Sequence, residues 1–140
     1  MVRQRTVAGS LLLKLACALA LVGVYLHLRV LGFGRTIVRA QLIARSPRYQ
    51  ASAGLVEKAR EVASVVERLA ALFPGRARCL EQSIAVFVVL RWHHMPADLQ
   101  IGARLLPFSA HAWVEIGGEP VNADPEALRL LVPFPKLPSL

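Results

Sequence analysis

The rhythm of apolar and polar positions changes three times along the chain. Residues 52–72, SAGLVEKAREVASVVERLAAL, carry the cleanest pattern. Leu55, Val56, Ala59, Val62, Val65, Val66, Leu69 and Leu72 recur at helical spacing with Glu, Lys and Arg opposite, which predicts an amphipathic helix with those eight side chains inward. Pro74-Gly75 ends it. In RARCLEQSIAVFVVLRWHHM the residues are apolar nearly all round from Leu80 to Leu90. A helix without a polar face belongs in the middle of a domain, and Met95-Pro96 closes it. Beyond that point the period falls to two: DLQIGARLL (98–106) reads as a strand, HAWVEI as a second, and EPVNAD as its return across Gly117-Gly118. The tail LVPFPKLPSL holds three prolines and reads as extended chain.

Upstream, residues 11–31, LLLKLACALALVGVYLHLRVL, read as a mostly apolar helix. Gly32 and Gly34 break it, TIVRAQLIAR (36–45) supplies a second, basic amphipathic helix, and Ser46-Pro47 marks a turn. A crossing helix needs about twenty apolar residues. Lys14, His27 and Arg29 leave a charge-free core only from Leu15 to Leu26. The pattern therefore favours a packed helix, or one lying on a membrane surface with basic ends snorkelling, over one that spans. No small-x-small cleavage site makes this segment a signal peptide. The order of helices, one central helix, then an antiparallel sheet is α+β. It divides into a basic, apolar helical region at 1–50 and a core at 51–140.

Composition sharpens this picture at two points. The chain has 140 residues, 55% of them hydrophobic, enough for one core and not comfortably for two. Its net charge of +8 is unevenly spread: residues 1–50 hold eight Lys/Arg and no Asp or Glu, whereas 51–140 hold nine of each sign. A basic, apolar N-terminal third points to a membrane surface or an acidic partner. No zinc-finger spacing, Gly-rich phosphate loop or aromatic RNA-binding signature is present, so nucleic acid is not expected. Cys17 and Cys79 do not make a disulfide framework. The default expectation is a reducing cytoplasmic setting, in association with the inner face of the membrane if the N-terminal helix meets lipid, with Cys79 free as a thiol.

Cys79 falls at the first turn of the central helix, where unpaired backbone N–H groups and the helix dipole stabilise a thiolate, and Arg76 and Arg78 add positive charge. The bland alternative is one more buried apolar residue. The hairpin weighs against it. A two-residue turn at Gly117-Gly118 pairs Ile116 with Glu119, Val114 with Val121 and His111 with Asp124, and directly opposed residues share a face. Asp124 then stands beside His111, with Asn122 one diagonal step away should the strand slip or bulge. An imidazole oriented by a carboxylate is a general base, and with a thiolate it makes a Cys-His-Asp arrangement for acyl transfer. His93 and His94 complement the C-terminal dipole of the central helix, and His27 has no evident partner. Zinc held by Cys79, His93 and His94 is excluded by roughly 20 Å of intervening helix. No metal or other cofactor is expected.

The stretches RCLEQSIAVFVVLRWHHMPADLQIGAR and PFSAHAWVEIGGEPVN resemble the leader peptidases of lasso-peptide biosynthesis, a transglutaminase-like cysteine protease family. The likeness runs over about residues 50–128 and is carried by C-L-x-x-S at 79–83 and A-H-A-W-V-E at 110–115. It implies a papain/transglutaminase-like core, a central buried helix packed on an antiparallel sheet, with Cys79 as nucleophile and His111 as base. The third residue of that family lies in a V-N-D-like stretch. Here the sequence is VNADPE, with Ala123 interposed, which points to Asp124. The implied activity is removal of the leader from a ribosomally made precursor. The implied partners are the precursor's leader, a separate leader-recognition protein and an ATP-dependent lasso cyclase. No G-x-x-x-x-G-K loop exists in this chain, so any ATP requirement belongs elsewhere. Two other readings stay open at this level: acyl transfer to an amine, and a non-catalytic module that binds a peptide or a membrane.

Overall fold

The computed structural model describes residues 2–44, 46–72 and 79–134, with side chains from residue 11 onward. Its elements run α1 (Val2–Ile43), α2 (Ala53–Ala71), α3 (Cys79–Trp92), β1 (Ala97–Leu105), β2 (Phe108–Ile116), β3 (Glu119–Pro120), α4 (Pro125–Leu128) and β4 (Val132–Pro133). The sheet is antiparallel with strand order β3-β2-β1-β4. This is the α+β architecture expected from the order of periodicities.

α3 packs against all the other long elements, α1, α2, β1 and β2, and α2 also touches β2. Ile84, Ala85, Val86 and Leu90 are essentially inaccessible, as a helix apolar on every side requires. One continuous core joins all these elements, including Cys17, Leu21, Val24, Ile37 and Ala40 of α1.

α2 starts where Ser52 caps it, its side chain accepting the Leu55 N–H at 3.2 Å. The inward positions are as the periodicity indicates for Val56, Ala59, Val62, Val65 and Val66, with Leu55 and Leu69 partly buried. Leu72 departs from the expectation. It is the C-cap, one residue past the end of α2, and is 82% exposed. Pro74-Gly75 lies outside the described residues.

α1 is two helices joined at Gly32, whose backbone (φ 79, ψ 175) is open to glycine and closed to other residues. Gly34 does not interrupt it. Thr36 Oγ1 donates to Gly32 O at 2.7 Å just past the kink. His27 has partners after all: Nδ1 donates to Gly23 O at 2.7 Å, and Nε2 accepts from Arg39 across the kink at 3.5 Å. His94 also does more than complement a dipole. It adopts the left-handed conformation (φ 62) that stops α3. From there its Nδ1 donates to Ser46 O at 3.0 Å, and its carbonyl accepts the Arg48 N–H at 2.8 Å. The α1–α2 connection is thereby fastened to the end of α3.

The expected two strands at 98–106 and 111–116 are one long hairpin, paired from Ala97↔Ile116 to Leu105↔Phe108. The extended tail gains a partner that its sequence does not announce: Val132 and Pro133 add to β1 opposite Ala103 and Gly102. The second turn has both glycines at positive φ, 58° and 83°, the geometry that a two-residue hairpin needs to match strand twist. A Cβ on Gly117 would also meet Ala51 Cβ at 2.7 Å. Gly117→Ala is therefore expected to destabilise the fold by about 1–3 kcal/mol, read as a lower denaturation midpoint with an unchanged slope.

Candidate active site

Cys79 is the first residue of α3 and half-buried. The free N–H groups of a helix start face whatever occupies this position, and they favour an anion. Arg76 and Arg78, expected to reinforce that field, lie outside the described residues. Glu81 occupies the same first turn, and its Oε2 is buried with no hydrogen-bond partner among the described residues. The other thiol, Cys17, is fully buried, and burial pushes its pKa up to about 11. The two cysteines thus differ in kind: one opens onto a cleft and the other is sealed in the core.

That cleft, of about 410 Å³, is bounded by α2, the first turns of α3, β2 and the chain after the Gly-Gly turn. Cys79, His111, Asn122 and Asp124 all line it. On α2, Arg60, Ala63, Ser64 and Glu67 form its far wall, spaced i, i+3, i+4, i+7 along one helix face. His111 is half-buried on β2, and its ring stacks against Trp113 with centroids 6.4 Å apart and an 18° tilt. Trp113 is in turn held by its Nε1–H, which donates to Glu115 Oε1 at 2.8 Å. His111, Trp113 and Glu115 occupy alternate positions and so one face of the strand. The imidazole has a rigid aromatic neighbour.

The hairpin register follows the sequence arithmetic as far as Val121. Ile116 pairs with Glu119, and the Val121 N–H donates to Val114 O at 2.9 Å. The ladder then stops, correcting the reading of EPVNAD as a full return strand. Residues 121–123 bend, and Asp124 becomes the N-cap of α4, its Oδ1 accepting the Glu126 N–H at 3.0 Å. Pro125 at the first helical position explains why the chain turns here. Asp124 shares the cleft with His111, but not as the opposite member of a strand pair, and no hydrogen bond joins the two among the described residues.

Asn122 has a different task from the one foreseen. Its Oδ1 accepts the Val114 N–H at 2.8 Å, and its Nδ2 donates to Ser83 Oγ at 2.9 Å. Ser83, wholly buried, donates onward to Ala112 O at 2.8 Å. Ser83 stands one turn after Cys79 on the same helix face, while Ala112 and Val114 flank His111 and Trp113 on β2. Three hydrogen bonds thus clamp the cysteine's helix to the histidine's strand. The sequence held one signal of this clamp: a serine inside an otherwise apolar helix must find a partner when buried. The α2 wall left no such signal, because its spacing reads as an ordinary solvated face.

A half-buried cysteine at a helix start and an imidazole on an antiparallel strand thus line one cleft of an α+β fold. The chain belongs to the Transglutaminase-like superfamily, whose profile matches residues 20–133. A 50-residue stretch is 40% identical to the Microcin J25-processing protein McjB of Escherichia coli, covering 36% of this chain and 24% of that protein. The chain thus matches about a quarter of that relative's length. No solved structure matches it.

Proposed function

We propose that this protein is a cysteine peptidase that cuts the leader from a lasso-peptide precursor. The observation that carries the reading is the meeting of Cys79 and His111 in one cleft, in a chain of the Transglutaminase-like superfamily. The partial similarity to a Microcin J25-processing protein supports this substrate class.

In this reaction Cys79 Sγ attacks the carbonyl carbon of the leader–core junction as His111 takes the thiol proton. The Cys79 backbone N–H, free at the helix start, donates to the oxyanion. Collapse of the tetrahedral intermediate breaks the C–N bond, and His111 returns the proton to the departing amine of the core peptide. Water, deprotonated by His111, then splits the thioester and releases the leader as a carboxylic acid. Asp124 lines the same cleft and has one carboxylate oxygen not used by the α4 cap, which supports giving it the role of orienting the imidazole. The leader is delivered by a separate recognition protein, and the released core passes to the ATP-dependent cyclase.

The test is mass spectrometry of a precursor incubated with this protein and the recognition protein. The reading requires two fragments whose masses sum to precursor plus one water. A precursor left intact under these conditions counts against it, and an amine adduct in place of the acid reassigns the reaction to amine transfer. Asp124→Asn is expected to lower kcat by about 10²–10⁴-fold at similar KM. An unchanged kcat would remove Asp124 from the site.

A further inference from the structure

The first part of α1 has two apolar stripes on opposite sides, and only one is used. Cys17, Leu21, Val24 and Leu28 recur at spacings of three and four and close against α2 and α3. The second stripe, Leu11, Leu15, Leu19, Val22, Leu26 and Val30, repeats with the same spacing about half a turn away. It stands in the open, with Leu19 74% and Val30 78% exposed. Twenty residues of helix make it roughly 30 Å long. Past the kink Val38 and Leu42 are exposed as well. A helix apolar all round needs an apolar medium on every side, and the protein's own core supplies it on one side only.

The charges around the open stripe narrow down what covers the other. Lys14, Arg29, Arg35 and Arg39 are exposed along α1, and the first fifty residues contain no carboxylate side chain. An apolar face bordered only by cations matches a surface that is apolar within and anionic at its rim, which describes a bilayer carrying acidic headgroups. By length and composition the segment Leu11–Ile43 is able to cross a membrane. Its packed stripe argues for a different disposition. From Leu13 to Ala44 the helix is attached to the core, whose α2 presents Glu57, Lys58, Arg60 and Glu61 to solvent. Crossing would drag those charges into hydrocarbon.

We infer that α1 lies in the plane of an anionic lipid surface, its open stripe in the acyl boundary and its basic residues at the headgroups. The enzyme core sits on the water side, with α3 and the sheet stacked above α1. This docking is independent of the peptidase reading, because its test uses neither precursor nor activity.

The experiment is flotation of the full-length protein with vesicles of phosphatidylethanolamine and phosphatidylglycerol, set against vesicles of phosphatidylcholine alone. The wild type is expected to float with the anionic vesicles and to bind the neutral ones at least ~10-fold more weakly. The variant L15E/L19E/L26E is expected to lose flotation while keeping the wild-type melting temperature, since these side chains face away from the core. Lys14→Glu with Arg29→Glu is expected to weaken binding to anionic vesicles alone. Three results would overturn the inference. The wild type could fail to float and instead form a dimer that the triple variant abolishes, which assigns the stripe to a second copy. The triple variant could float as the wild type does. Or it could lose its melting transition, which would mean these side chains are covered by the protein itself.

Discussion

Cys79→Ala is expected to abolish leader cleavage, lowering kcat by about 10⁵–10⁶-fold to the background of precursor binding alone. His111→Ala is expected to fall nearly as far, and the double variant no further, because nucleophile and base act as one unit. The fold survives both changes, since neither residue belongs to the buried core cluster, so melting temperatures stay close to wild type. The chain also supplies an internal control in its second thiol. A buried Cys17, with its pKa raised to about 11, carries little thiolate through pH 9 and alkylates slowly over that whole range. A single fast-reacting thiol per chain between pH 5 and 9, lost in Cys79→Ala and slowed in His111→Ala, identifies the pair without any substrate. Two equally slow thiols would mean the site is not assembled in the free protein, and full cleavage by Cys79→Ala would end the peptidase reading.

Asn122→Leu is expected to lower stability and rate together. The replacement keeps the size of the side chain and removes both of its polar contacts. The Val114 N–H and the Ser83 Oγ acceptor are left unpaired. At about 1–3 kcal/mol for each buried group left without a partner, the loss is about 2–6 kcal/mol, or roughly a 6–20 °C fall in melting temperature. Ser83→Ala removes a different part of the same circuit, freeing Ala112 O and Asn122 Nδ2. The two substitutions are therefore expected to be strongly non-additive in a double-mutant cycle. The kinetic readout separates clamp from scaffold. A loosened joint between α3 and β2 misplaces Cys79 against His111, so kcat drops by up to about 10²-fold with KM nearly unchanged. A kcat that falls only in proportion to the folded fraction would make the circuit purely structural.

Much of the architecture was legible because it follows from short-range periodicity. The all-apolar run from Leu80 to Leu90 announced a central helix, and the Gly-Gly pair announced a hairpin. The register read from that turn holds through Val121. The arithmetic failed at Asp124 for a local reason: Pro125 starts a helix there, and capping that helix competes with extending the ladder. β4 was missed because a two-residue pairing of Val132 and Pro133 leaves no alternation to detect. The exposed end of α2 at Leu72 was misread because periodicity carries no information on where a helix stops.

The sequence by itself determined the order of elements, singled out Cys79 and His111 as the candidates for chemistry, and set a basic, apolar N-terminal stretch against a neutral remainder. These depend on residue type and on spacing within one element. The tertiary structure alone decided which side chains share the cleft and how Ser83 and Asn122 join the cysteine's helix to the histidine's strand. It also decided which of the two stripes of α1 the core consumes. Each of those is a contact between residues far apart in the chain. Their partners are chosen by how the layers stack, which no local pattern records.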